Sequence, residues 1–150
     1  MVRRQVVFAN AGPVAAGGVL PMGRALVTLA GGPGIPPERV ESHLRERVDA
    51  GEKARLDVGP ALQLQGERRQ IQVERSGDGK QVSERYQIKV RNLADTRARV
   101  TVIEPLARSG TATVKKTEPK AERHGDELYF TLTVEPRGEA TAMVDVSYRW

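Results

Sequence analysis

Two runs of alternating side chains on either side of an Asp-Gly pair do more than any other feature to limit what this chain can fold into. Before Asp78-Gly79 the apolar residues are odd-numbered, Ile71 and Val73; after it they are even-numbered, Tyr86, Ile88 and Val90. A period of two describes a strand with one face in a core and one in water, and Asp-Gly is a pair that tight hairpin turns favour. Antiparallel partners must then sum to an odd number, which an Asp78-Gly79 loop supplies by pairing Gly77 with Lys80. In that register Ile71 lies opposite Tyr86 and Arg75 opposite Val82. A slip of one residue would turn the apolar set of one strand toward solvent.

The same alternation runs through most of the chain. Val6 and Phe8 mark a short strand near the start, and Leu26 and Val27 lie in another around 24–30. Leu56 and Val58 precede a Gly59-Pro60 turn; Leu62 and Leu64 then lead into the strand that reaches Ile71, with Gly66 as an expected bulge. After Val90 a turn at 93–97 returns the chain through Val100 and Val102 to Pro105, and 111–117 is a weaker strand. Leu128, Phe130, Leu132 and Val134 lead into a turn at 135–139, and Ala140, Ala142, Val144 and Val146 lead out of it. About nine strands joined by hairpin-length turns indicate an all-β fold, an antiparallel Ig-like β-sandwich, in one domain over 1–150. The expected core is Leu62, Leu64, Ile71, Val73, Tyr86, Ile88, Val90, Val100, Val102, Leu128, Phe130, Leu132, Val144, Val146 and Tyr148.

Two stretches stand outside the pattern. Gly31-Gly32-Pro33-Gly34-Ile35-Pro36-Pro37 reads as an exposed loop. In 38–50, Val40, Leu44 and Val48 fit a helical stripe framed by Pro37 and Gly51, and they equally fit one face of an irregular strand. Both a short helix and a strand stay open there. No repeat recurs at a fixed period.

Residue types narrow the chemistry. With no cysteine, the chain has no disulfide, thiolate metal site or cysteine nucleophile, and its two histidines, His43 and His124, are far apart in sequence. His124 sits in Glu122-Arg123-His124-Gly125-Asp126, a solvated turn, and His43 reads as a surface residue. No Gly-x-Ser-x-Gly elbow presents a serine. The glycines at 31–34 lack the Lys-Ser/Thr of a phosphate loop, and their prolines remove N–H donors. Asp78 has no carboxylates at alternate positions, so it is a turn residue and not a calcium ligand. The expectation is a non-enzymatic chain with no catalytic residue, metal or cofactor.

No apolar run approaches the roughly 20 residues of a spanning helix. The alternation that ends in Tyr148 and Trp150 reads as a core strand, because six aromatics in 150 residues are too few for the girdles of a membrane barrel. Met1-Val2-Arg3-Arg4 is followed by no apolar stretch of a secretory leader, so the expectation is either a cytoplasmic protein or a fragment or processed form.

Charge supplies the one surface feature worth testing. Lysine and arginine number 24 against 19 acids, a net +5, and the excess lies in the middle third. The outward face of the hairpin over 67–92 is expected to carry Arg68, Gln70, Gln72, Arg85, Gln87, Lys89 and Arg91, with Arg99 beside it. Such a row can neutralise phosphates in a sequence-blind, salt-dependent way. It is also what a solvated sheet face looks like, and it lacks the aromatics on which single-stranded bases stack. The favoured reading is therefore an interaction or structural module whose partner is another protein or the rest of a longer chain. A polyanion such as nucleic acid, held by Arg68, Arg85, Lys89, Arg91 and Arg99, is the alternative.

Several of these segments together resemble a known family. Tyr86-Gln87-Ile88-Lys89-Val90-Arg91-Asn92, Val100-Thr101-Val102-Ile103-Glu104, Val134-Glu135-Pro136-Arg137-Gly138-Glu139-Ala140 and the closing Tyr148-Arg149-Trp150 follow one scheme, and Leu62-Gln63-Leu64-Gln65-Gly66-Glu67-Arg68 fits it upstream. The pattern is similar to the C-terminal β-rich part of the bacterial family of unknown function numbered 4139, some of whose members are called mucoidy-inhibitor-like. It covers about residues 55–150 well and 1–54 loosely. The resemblance implies an Ig-like module that follows a coiled coil and a signal sequence in envelope-associated proteins. It transfers no catalytic residue.

Overall fold

The computed structural model describes residues 2–12, 18–30, 34, 36–106, 108 and 110–150. Among them the chain is all-β, with eleven strands where the sequence suggested about nine: β1 (Arg3–Ala9), β2 (Gly23–Leu29), β3 (Glu38–Leu44), β4 (Lys53–Pro60), β5 (Leu64–Arg75), β6 (Gln81–Asn92), β7 (Ala98–Pro105), β8 (Thr111–Glu118), β9 (Glu122–His124), β10 (Glu127–Val134) and β11 (Glu139–Arg149). Every pairing is antiparallel. The helix alternative for 38–50 is overturned. Val40 pairs with Val27 and Ser42 with Ala25, and Val48 bridges Leu20. Even-numbered apolar residues satisfy both periods, and a neighbouring strand with its own alternation decides between them. Of the expected loop, Gly34, Pro36 and Pro37 are exposed and outside any strand; its remaining residues lie outside the described set.

Within the stretch expected as one domain, the chain forms two compact units, Met1–Ala61 and Leu62–Trp150. In the first, β1 pairs with β4 and β2 with β3. Val48, Ala54, Leu56 and Val58 are its buried apolar residues. In the second, a four-stranded sheet of order β5-β6-β11-β8 packs against a three-stranded sheet of order β7-β10-β9. The facing stripes are Val82, Tyr86, Ile88 and Val90 with Ala142, Val144, Val146 and Tyr148 on one sheet, and Val100, Leu128, Phe130, Leu132 and Val134 on the other, all buried. Two expected hairpins are therefore connections between sheets. β6 and β7 do not pair, and β10 meets β11 across the core instead of beside it. A turn of hairpin length serves either purpose, and only long-range pairing tells them apart.

The Asp78-Gly79 turn keeps the expected register near its tip, with Arg75 opposite Val82, but opens to four residues, since the Ser76 N–H donates to the Gln81 carbonyl. Farther along, the expectation fails. Ile71 is an extra residue with no partner, so Gln70, and not Ile71, stands opposite Tyr86. Such a bulge moves every side chain beyond it to the other face. Arg68 and Gln70 turn to the inner face, and the unpaired Ile71 is 48% exposed. Val73, on the turn side of the bulge, keeps its expected place opposite Glu84 but is 44% exposed. Gly66, the expected bulge, pairs regularly with Val90. Leu62 lies in the turn before β5 at 84% exposure, and Leu64 and Val102 are half-buried. The rest of the expected core is buried.

Both asparagines of the chain perform one task, once in each unit. The Asn92 Nδ2 donates to the carbonyls of Thr96, Val134 and Glu135, and its N–H to Gly138. The Asn10 Nδ2 donates to the carbonyls of Gly18, Val48 and Asp49, and its N–H to Glu52. The match extends to the backbone: Ala98 pairs with Val134 as Leu20 does with Val48, and Arg91 with Glu139 as Ala9 does with Lys53. The first unit thus repeats the β6, β7, β10 and β11 frame of the second as β1, β2, β3 and β4.

The bulge separates two isoleucines in a testable way. Ile88→Ala should cost about 2–4 kcal/mol, the usual loss for a truncated core side chain, whereas Ile71→Ser should stay within about 0.5 kcal/mol. Urea unfolding followed by the fluorescence of Trp150, the single tryptophan, reports on the second unit.

Candidate functional site

Charged side chains gather at two places in the second unit, one inside the sandwich and one on the outer face of its larger sheet. The inner cluster arises because two glutamates occupy positions of the buried stripes. Glu84 follows Val82 on β6 and Glu104 follows Val102 on β7, and both are almost fully buried. A buried carboxylate must be paired or hydrogen-bonded to remain charged. Glu104 accepts three bonds of 2.7–3.1 Å from the Arg68 guanidinium. That guanidinium also lies 3.8 Å above the Tyr86 ring, a cation–π contact. Glu84 is bonded by Arg108, by the Tyr86 hydroxyl and, at 2.8 Å, by the Gln70 Nε2.

The electrostatics follow from those contacts. Burial pushes the Glu84 carboxyl upward, but the bonds from Arg108, Tyr86 and Gln70 together outweigh it and hold the group below the usual carboxylate range. The bond to Glu104 raises the Arg68 guanidinium above its ordinary value. Burial, reinforced by the charges of the cluster, pushes the Tyr148 hydroxyl up to about 12. Arg108 comes from the connection after β7, which Gly110 leads into β8. At φ +102 the Gly110 backbone approaches β11 so closely that a Cβ would lie 2.5 Å from the Arg149 carbonyl oxygen.

The outer face carries the sequence-derived cations, though not all of them. Arg85, Lys89 and Arg91 stand in a row on β6, as expected. Each faces a carboxylate of β11: Arg85 forms two bonds with Asp145 at 2.6 and 2.8 Å, while Lys89 and Arg91 lie 3.3 and 3.7 Å from Glu139. The bond from Arg85 lowers the Asp145 carboxyl below its usual range. A shallow groove of about 120 Å³ beside this pair is lined by Gln72, Glu74, Ser83 and Lys115, whose Nζ donates to the Ser83 Oγ at 3.1 Å. Arg68 is not part of the row, because the bulge at Ile71 turned it to the inner face. Arg99 is exposed on β7, in the other sheet.

The remaining candidates behave as surface residues. His124 stacks edge-on against Tyr129 at 5.1 Å and lies 3.6 Å from Glu122, and His43 is exposed on β3. The Asp78 carboxylate accepts bonds from the Ser76 hydroxyl and the Lys80 N–H, which hold its turn. Among the described residues no group of three or more His, Asp or Glu could hold a metal, and no helix is long and apolar enough to cross a membrane. Sequence reading missed Glu84, Glu104 and Arg108. The signal for the glutamates was present: each interrupts an apolar alternation at an inward position. Arg108 had none, since its approach depends on tertiary packing.

Compared with family models, with curated proteins and with solved structures, the chain matches none.

The lowered value of Glu84 sets a pH dependence with a definite sign. Its contribution is fully present above the unfolded carboxylate value of about 4.3 and is lost as pH falls through the lower folded value. Glu84→Gln should therefore flatten the loss of stability between about pH 5 and 3, read as thermal midpoints across that window. Tyr148→Phe should flatten the corresponding loss at the alkaline end, between about pH 10, the unfolded tyrosine value, and about 12.

Proposed function

We propose that the chain is a non-enzymatic, Ig-like β-sandwich module that binds another protein or a further part of a longer polypeptide. The observation that carries this reading is the pairing of charge across the sheet faces. The inner glutamates are occupied: Glu104 joins the two sheets through Arg68, and Glu84 holds the connection after β7 through Arg108. Of the outer cations, Arg85 is paired with Asp145, and Lys89 and Arg91 share Glu139. A broad sheet face of alternating, mutually paired charges offers geometry and polar complementarity to a protein surface. Envelope association and kinship with the family numbered 4139 belong to the same reading. They are supported by the placement of the family-like segments on β6, β7, the β10–β11 turn and the end of β11.

The alternative, a polyanion held by the β6 row, needs cations free to neutralise phosphates. Here a phosphate would compete with Asp145 for Arg85 and with Glu139 for Lys89 and Arg91. On a heparin column the protein should elute below about 0.15 M salt, because few counterions are released. Arg85→Gln/Lys89→Gln/Arg91→Gln should shift that elution little. Asp145→Asn/Glu139→Gln, which frees the same cations, should move it to higher salt. Retention beyond physiological salt that disappears in the triple variant would replace the protein-binding reading with the polyanion one.

A further inference from the structure

The first unit repeats the frame of the second, but the strands that flank that frame, β5 beside β6, β8 beside β11 and β9 beside β10, have no counterparts among the described residues. Of the edges this leaves, that of β3 carries Glu38, Arg39 and Glu41 and that of β4 carries Lys53, Arg55 and Asp57. β6, the counterpart of β1, has β11 on one side and the twelve-residue β5 on the other. β1 has β4 on one side and, among the described residues, no strand on the other. The consequence appears in burial. Val6 and Phe8, on the inner side of β1, are only half-buried, while Ile88 and Val90 at the matching positions are 7% and 2% exposed. Val7, on the outer side, is 52% exposed. A free strand edge presents a row of unpaired N–H and C=O groups that can accept a further strand, and proteins usually guard such edges with charges, prolines or bulges. β5 is guarded, with charged residues along it and the bulge at Ile71. From Gln5 to Ala9, β1 carries no charge and no proline, and its pairing with β4 is regular.

We propose that this edge pairs antiparallel with β1 of a second copy, about a two-fold axis at Val6, so that β4 and β1 of both copies form one four-stranded sheet. The proposal stands on the first unit and is independent of the reading above. The occupant follows from self-complementarity. Centred on Val6, all seven residues of β1 are used: Val6 meets Val6, Gln5 meets Val7, Arg4 meets Phe8 and Arg3 meets Ala9. Inner residues meet inner ones and outer meet outer, as an isologous pairing requires, and no like charges are opposed. Arg4, whose guanidinium donates to the Val58 carbonyl at 3.1 Å and to Glu38 at 3.3–3.4 Å, stands opposite a partner phenyl ring in this register. β2 is also an edge, and Leu26 on it is 69% exposed. Its counterpart β7 ends a sheet in the second unit too, so the shared frame asks for no further strand there.

Because the chain contains no cysteine, single introduced thiols test the register directly. In the full chain Val6→Cys would face its own copy within the roughly 4.4–6.8 Å Cα separation that a disulfide spans, whereas Gln5→Cys and Leu26→Cys would not. Under mild oxidation Val6→Cys should form covalent dimer at least about tenfold faster than either control. Sedimentation of the unmodified chain should show a monomer–dimer equilibrium with a dissociation constant on the order of 1–100 μM, as befits a small interface. Val7→Lys, an exposed change that adds a charge near Arg3 of the other copy, should weaken that equilibrium. The proposal is overturned by a chain that stays monomeric up to about 300 μM, well above that range. Cross-linking through Leu26→Cys in preference to Val6→Cys overturns it as well.

Discussion

Arg68 reaches inward from an edge strand, lies over the Tyr86 ring and holds the buried Glu104 of the facing sheet. It can do so only because Ile71 is left unpaired in β5, which reverses the facing of every residue from Gln70 back to Leu64. The two sheets of the second unit are thereby joined at this edge by an ion pair. Arg108 and Gln70 satisfy Glu84 of the adjoining stripe. Replacing a buried ion pair by apolar residues is often neutral in net stability, so the gain here is better sought in specificity. A carboxylate at position 104 forbids any register of β5 that leaves it without a guanidinium.

The same residue explains where reading the sequence succeeded and where it stopped. Alternation around Tyr86–Val90, Leu128–Val134 and Ala142–Tyr148 was legible because both strands of each stripe keep one parity for their whole length. β5 was misread over half its length because a bulge breaks parity without leaving a glycine or proline to mark it. Arg68 was accordingly placed among the outer cations, and Ile71 in the core; Val73 has the expected partner, Glu84, but stands too near the open end of the β5 pairing to be buried, at 44% exposure. Sheet membership was the second limit. The turns at 93–97 and 135–139 resemble hairpin loops, but each carries the chain from one sheet to the other, a choice settled by contacts between residues distant in sequence.

The repeated frame was invisible for a different reason. Asn10 and Asn92 clasp their loops through the same set of carbonyls, yet the segment between Asn10 and Leu20 is longer than that between Asn92 and Ala98, so no fixed period relates the units. What the two share is a pattern of backbone satisfaction. An amide at the end of a strand gathers carbonyls that would otherwise lack donors where the chain leaves the sheet. With two asparagines in the chain and both used this way, the residue type is reserved for a structural task.

The central claim is that Arg68 turns to the inner face of β5, where it holds the buried Glu104 while its own side chain stays 46% exposed, and does not belong to the outer basic row. A double-mutant cycle with Arg68→Met and Glu104→Gln, read by urea unfolding, measures that coupling directly. Contact inside the sandwich predicts an interaction of about 1–3 kcal/mol, the range for charged partners within one network. Additive effects, within about 0.3–0.5 kcal/mol, would place Arg68 away from Glu104 and contradict the inward turn of β5.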